Sequence, residues 1–194
     1  MISGRRLAHD WYDGVIPDNV VFDDTNVIDS SFSFLRFKSR RDNALTLGRR
    51  SAIYSASGFD LGPDARVQIG AFTMINNAQI ICDESIRIGD YGLISWNVVL
   101  MDNYRVPCSI DKRRAYIRAI LQNPLRAMDL QTRAKPIVIG DNVWIGHDSV
   151  VMPGVEIGSG SIVGARSVVT ESVPDLAVAA GNPARVIRRL ADPH

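Results

Sequence analysis

A single histidine, His147, falls within the regular repeats of this chain, in the segment Trp144-Ile145-Gly146-His147-Asp148. An imidazole titrates near neutrality and can take a proton from a hydroxyl, and a carboxylate beside it, here Asp148, could orient the ring. The competing interpretation is a surface or interface histidine with no chemical role. The chain has 3 histidines, and His9 and His194 lie outside the repeats, so a zinc site built on three imidazoles is not expected. Cys82 and Cys108 lack metal-ligand spacing, and no histidine adjoins Cys108 in sequence to activate its thiol. No metal is therefore expected. Arg105, Lys112, Arg113, Arg114, Arg118, Arg126, Arg133 and Lys135 face only Asp102, Asp111 and Asp129 in one stretch. Arg113, Arg114 and Arg118 would suit a ligand bearing phosphate or carboxylate, the simpler interpretation of each being a solvated helix face.

The elements that must position these residues are legible from periodicity. An aliphatic residue recurs at every sixth position, at Ile139, Ile145, Val151, Ile157, Val163 and Val169. A strand alternates and a helix returns after about 3.6 residues, so this period implies short strands separated by turns that reset the register. Gly140, Gly146, Gly158 and Gly164 follow the aliphatic residue, where a corner needs a small or φ-permissive residue. Small or β-branched residues recur four places on, at Val143, Ser149, Val155, Ser161, Ser167 and Val173. Such hexads, taken by threes, make triangular coils whose aliphatic residues stack inward.

The pattern also runs from Leu47 through Ile53, Leu61, Ile69, Ile75 and Ile81, slips by one residue in the 82–88 region, and resumes at Ile88, Ile94 and Leu100. A bulge or enlarged corner accounts for the slip. The expected fold is all-β, a left-handed parallel β-helix over residues 47–174. Residues 1–46 are expected to cap its open end, and an extended loop at 101–136 to carry a short helix near Asp111 to Ile120 and touch a neighbouring subunit. Residues 175–194 form a C-terminal arm, for which a helix around Val186 is one option. A long loop of this kind in a compact domain is usually functional.

Composition narrows the partners. The net charge is +1 and no basic tail or stripe dominates a terminus, which argues against nucleic acid. No apolar stretch reaches membrane-spanning length, no signal peptide is evident, and 2 cysteines suit a reducing, cytoplasmic setting.

The run from Ala134 to Arg189, containing P-I-V-I-G-D-N-V-W-I-G, P-G-V-E-I-G, S-V-V-T and A-G-N-P-A-R-V-I, resembles the C-terminal half of hexapeptide-repeat acyltransferases. The likeness is strongest to the galactoside, maltose and xenobiotic O-acetyltransferases. That resemblance implies a homotrimer with acetyl-CoA sites between subunits and transfer of an acetyl group to a hydroxyl or amine of a small acceptor, such as a sugar. It further implies that Trp144 and the backbone at Gly146, Ala165 and Thr170 line the pantetheine channel, that Arg185 and Arg188 approach the CoA phosphates, and that Asn76 binds the acceptor. An asparagine ladder at a coil corner is the alternative for Asn76. Glu171 stands where similar enzymes often carry lysine.

The resemblance breaks at the expected base. Relatives carry a histidine in a segment like N-V-T-L-x-x-x-x-H-P, whereas this chain has Asn97-Val98-Val99-Leu100-Met101-Asp102-Asn103-Tyr104-Arg105-Val106-Pro107. Arg105, or Val106 by a one-residue shift, occupies that place, and arginine is permanently protonated. The candidates for the base are then His147 and, as a carboxylate alternative, Asp102. The I-x-H-D segment at His147 also resembles the catalytic stretch of UDP-N-acetylglucosamine acyltransferases. Without a base, the expectation becomes a binding or scaffold trimer.

Overall fold

The computed structural model describes residues 5–54, 57–122 and 132–191. Among these residues the chain visits three sheets in turn, and within the coils strands pair in parallel with those of the coils before and after. The first sheet holds Val20–Val21, Leu45–Leu47, Arg66–Ile69, Ser85–Ile88, Ile137–Ile139 and Glu156–Ile157. The second holds Val27–Ile28, Ala52–Tyr54, Met74–Asn76, Leu93–Ile94, Trp144–Ile145, Ile162–Val163 and the closing hairpin. The third holds Gly58–Leu61, Gln79–Cys82, Val99–Met101, Val150–Val151 and Val168–Val169. The core is therefore a set of aliphatic columns, such as Ile53, Ile75, Ile94, Ile145 and Val163, every one of them buried.

The sixfold period works as expected for the inward ladder from Ile139 to Val169, and Val143, Val155 and Val173 complete the core at the corners. Ser149, Ser161 and Ser167 are equally buried, and their hydroxyls donate to the carbonyls of Gly164, Pro174 and Gly164. Pairing of this kind offsets the cost of burying a hydroxyl. The corner glycines are required by close approach. A Cβ on Gly70 would lie 2.4 Å from the Gly89 carbonyl carbon, and one on Gly89 2.7 Å from that of Gly140. Positive φ falls instead on later corner residues, among them Asn97 at 58°, Asn142 at 54° and Asp148 at 58°.

Ile81 departs from the expected ladder. Ile80 and Cys82 point inward, Ile80 pairing with Phe59 and Leu100, while Ile81 is half-buried in the outward row between Asp60 and Met101. The corner at Asn77 is one residue short, and the enlarged corner at Asp83 and Glu84 restores the register.

The ends differ more. Residues assigned to a cap contain a further coil: Val20–Val21 pairs with Leu45–Leu47, Val27–Ile28 with Ala52–Tyr54, and Phe37 bridges to Leu61, all in parallel. At the other end, Ala177–Gly181 adds a strand to the second sheet and Ala184–Arg189 turns back antiparallel to it, so the arm around Val186 is a strand and not a helix. Within the expected loop, helix α1 spans Ile110–Gln122 with no buried residue, leaving Ile110, Ile117 and Leu121 exposed. Of the basic residues in this stretch, Arg126 lies outside the described residues. No helix among the described residues is long and apolar enough to cross a membrane.

Candidate active site

Trp144 stands on the outward face of the second sheet, 48% exposed, with its indole Nε1 donating to Ser95 Oγ at 3.2 Å. Outward and inward positions alternate along a strand, so burial of Ile145 forces Trp144 out. Across the sheet the register runs from Trp144 to Ile162, Val178 and Arg188. At ~4.8 Å per strand the Cα atoms of Trp144 and Arg188 are roughly 14 Å apart. Arg185 lies on the same closing strand, and it pairs with Glu171 at 3.3 Å. The acidic residue at 171 is therefore a partner for the guanidinium at this end of the face.

The corner after Ile145 gathers the next group. Gly146 donates its N–H to Val163 at 2.8 Å, and a Cβ there would meet the Ala165 backbone nitrogen at 2.6 Å. Only glycine lets the two corners touch. His147 is exposed, and its carbonyl accepts the Arg166 N–H at 2.8 Å. Asp148 accepts from Asn97 Nδ2 at 3.0 Å and pairs with Arg166 at 3.7 Å, so its carboxylate serves the corner and not the imidazole. Asn77 Nδ2 in turn donates to Asn97 Oδ1 at 3.1 Å. A polar ladder, Asn77, Asn97, Asp148 and Arg166, thus runs up this edge. Ala165 and Thr170 are exposed on neighbouring turns. Asn76 lies inside the same edge, nearly buried, with its amide at 3.5 Å from the Ile94 carbonyl; the corner ladder is formed by its neighbour Asn77.

Asp102 occupies a different environment. It is 0% exposed, and its carboxylate accepts the backbone N–H groups of Asp83, Glu84 and Ser85 at 2.8, 2.8 and 3.0 Å. Cys82 Sγ lies 3.2 Å from the same group. Burial, with the adjoining Asp102 charge, pushes the Cys82 thiol well above its usual range. Asp102 therefore caps the enlarged corner whose N–H groups would otherwise be unpaired in the interior, an environment unlike that of a base open to an acceptor.

Arg105, standing where similar enzymes carry the base, is bound by two carboxylates. Its Nη1 lies 2.7 Å from Asp60 Oδ1, its Nη2 2.8 Å from Asp83 Oδ1, and its Nε also donates to Asp83. Partial burial works against the charge, but these bonds more than offset it and hold the guanidinium protonated well above the ordinary arginine range. The residue anchors the start of the loop and cannot accept a proton.

One feature the motifs did not single out is Trp96, 57% exposed at the corner one coil before His147, its carbonyl accepting the Asp148 N–H at 2.9 Å. The pairing of Ile94 with Ile145 places Trp96 in the same column as His147, a relation visible only once strand register is known. Among the described residues no group of three or more His, Cys, Asp or Glu side chains could hold a metal ion.

The family model described as bacterial transferase hexapeptide (six repeats) matches residues 136–171. Galactoside O-acetyltransferase of Escherichia coli is 35% identical over 149 residues, which cover 76% of this chain and 64% of that protein. The chain thus spans somewhat less than two thirds of that relative. A Saccharomyces cerevisiae protein named as an acetyltransferase is 30% identical over 167 residues, covering 80% of this chain and 84% of the other. Among solved structures, the hexapeptide-repeat acetyltransferase of Vibrio cholerae complexed with acetyl coenzyme A superposes with a TM-score of 0.59 at 35% identity, covering 75% of this chain and 71% of that one. A galactoside acetyltransferase in complex with coenzyme A gives 0.51 at 27% identity, covering 90% and 64%.

Proposed function

Because this chain belongs to the hexapeptide-repeat acetyltransferase family, we propose that it transfers an acetyl group from acetyl-CoA to a hydroxyl or amine of a sugar or similar small acceptor. The observation that carries this reading is the outward register from Trp144 to Arg188, flanked by the corner of Gly146, His147 and Ala165. The thioester arm runs along Trp144, Gly146, Ala165 and Thr170, and the phosphates reach Arg185 and Arg188, for which a guanidinium is well suited. Asn76 serves the acceptor side. His147 takes the acceptor proton as the oxygen or nitrogen attacks the thioester carbonyl. The tetrahedral intermediate then expels the CoA thiolate, which recovers that proton as free thiol. Backbone N–H groups stabilise the oxyanion, and holding both substrates together supplies much of the rate.

The functional unit is a left-handed β-helical homotrimer. Support comes from the apolar outward row of Met74, Leu93 and Trp144 and from the exposed Ile110, Ile117 and Leu121 of α1, surfaces of the kind a partner subunit covers. The unpaired thiols of Cys82 and Cys108 suit a cytoplasmic location. A second reading, a binding or scaffold trimer without catalysis, draws on Arg105 and its ion pairs at the position of the usual base. Incubation with acetyl-CoA and a panel of hydroxyl and amine acceptors, following thiol release, separates the two. Acceptor-dependent release supports transfer. CoA-dependent thermal stabilisation without release supports the scaffold, and neither result at millimolar CoA refutes both.

A further inference from the structure

A cavity of about 210 Å³ opens on the third sheet near the first coils, with Phe32, Ser33, Arg36, Gly58, Asp60 and Gln79 in its wall. None of these residues was singled out by motif. The cavity has room for about one ring, and its wall divides into an aromatic side and a polar side. On the aromatic side, Phe32 packs 5.4 Å from Trp11 and 5.2 Å from Tyr12, centroid to centroid, and those two rings are 64% and 40% exposed. Asp10 fixes this cluster by accepting from the Ser30 hydroxyl and from the Tyr12 and Ser31 backbones. On the polar side are a carboxylate, a guanidinium and an amide. Beside them Ser33 has a buried hydroxyl with no partner among the described residues.

The charges nearly cancel. Asp60 pairs with Arg105 at 2.7 Å and Arg36 at 3.6 Å, and Asp83 also pairs with Arg105, so two carboxylates face two guanidinium groups. A phosphate or an ammonium ion gains little there. A neutral ring with an apolar face and several hydroxyls matches both sides, since aromatic rings cover the C–H face while mixed donors and acceptors meet the hydroxyls.

The cavity also lies in line with the site above. Gln79 pairs with Val99, which pairs with Val150, so Gln79 sits two strands, ~10 Å, from the coil of His147. The ladder of Asn77, Asn97 and Asp148 follows the same edge between them. We propose that this cavity is a subsite for one sugar ring of an oligosaccharide acceptor, whose acetylated ring lies farther along the edge at His147. The acceptor role rests on the acetyl-transfer reading; the ring site itself does not.

Binding without CoA tests it directly. Glucose, galactose and N-acetylglucosamine, and a trisaccharide of each, are titrated against the full-length protein by calorimetry and saturation-transfer NMR. A trisaccharide should bind at least about tenfold more tightly than its monosaccharide. Gly58→Val should weaken that binding at least about tenfold. The three atoms nearest a Cβ at Gly58 all belong to the Gln79 amide, the closest at 2.4 Å, so the substitution displaces a polar group of the cavity wall and adds bulk beside it. Gln79→Ala, at an exposed position, should weaken binding in the same direction while leaving the fold intact. Absence of binding by every trisaccharide, or wild-type affinity in Gly58→Val, overturns the subsite. Trisaccharide binding that Gly58→Val abolishes, with no acetyl transfer to the bound sugar, supports the ring site but overturns its acceptor role, whereas the function proposed above fails only if no acceptor of the wider panel releases thiol.

Discussion

Replacing Asp102 by asparagine separates a structural carboxylate from a catalytic one. One oxygen accepts from Asp83, and the other accepts from Glu84 and Ser85. Asparagine keeps one of these oxygens. In its better orientation it retains the bonds to Glu84 and Ser85 and turns an NH2 group towards the Asp83 N–H. At least one bond to a charged acceptor is lost, worth ~1.5–3 kcal/mol, and a buried donor is left unpaired at ~1–3 kcal/mol. Because these costs overlap, we expect a net loss of about 2–4 kcal/mol. For a chain of this size each kcal/mol moves the melting temperature by about 2–4 °C, so Asp102→Asn should melt about 5–15 °C below wild type. Circular dichroism at constant protein concentration measures the shift, and acetyl transfer at 15 °C, where both proteins are folded, should agree within about threefold. A variant that melts within 2 °C of wild type would refute the capping argument. A folded variant slowed roughly 10²-fold or more would return Asp102 to the chemistry.

Three further outcomes follow from the same geometry. Under native conditions a thiol reagent should modify exposed Cys108 but not Cys82, whose thiol is buried and held protonated, and unfolding should release the second equivalent. Gly89→Ala places a methyl group 2.8 Å from the Asp141 backbone nitrogen; it should cost about 1–3 kcal/mol in urea unfolding. Trp144→Asp puts a charge in the apolar outward row and should shift the light-scattering mass from trimer towards monomer.

The regular coils were legible because Ile139 to Val169 keep an unbroken period, and a six-residue spacing has few other structural solutions. Register failed where apolar residues run together: in Ile80-Ile81-Cys82 the sequence offers three inward candidates, and only pairing with Phe59 and Leu100 selects Ile80. The first coil was hidden because its inward residues, Phe22, Ile28 and Phe34, keep the six-residue spacing but are mostly aromatic and lack the following glycine. The closing hairpin was hidden because Gly181-Asn182-Pro183 marks a turn but leaves the short run Ala184 to Arg189 open to either strand or helix.

At the site, the resemblance led to Trp144, Gly146 and Ala165, which the structure brings together around one corner and the adjoining face. The roles of Asp102 and Arg105 could not be read in sequence. Their partners, Asp83 to Ser85 and Asp60, are distant in the chain, and only the coil geometry joins them. Trp96 was missed for the same reason.

The central claim is that His147 is the base for acetyl transfer at the Trp144 face, and the measurement that tests it most directly is the acceptor-dependent release of CoA by His147→Ala. Removing a general base costs roughly 10²- to 10⁴-fold in rate, so turnover should fall within that range while CoA affinity stays within about twofold. A His147→Ala protein that transfers acetyl groups at the wild-type rate would contradict the account.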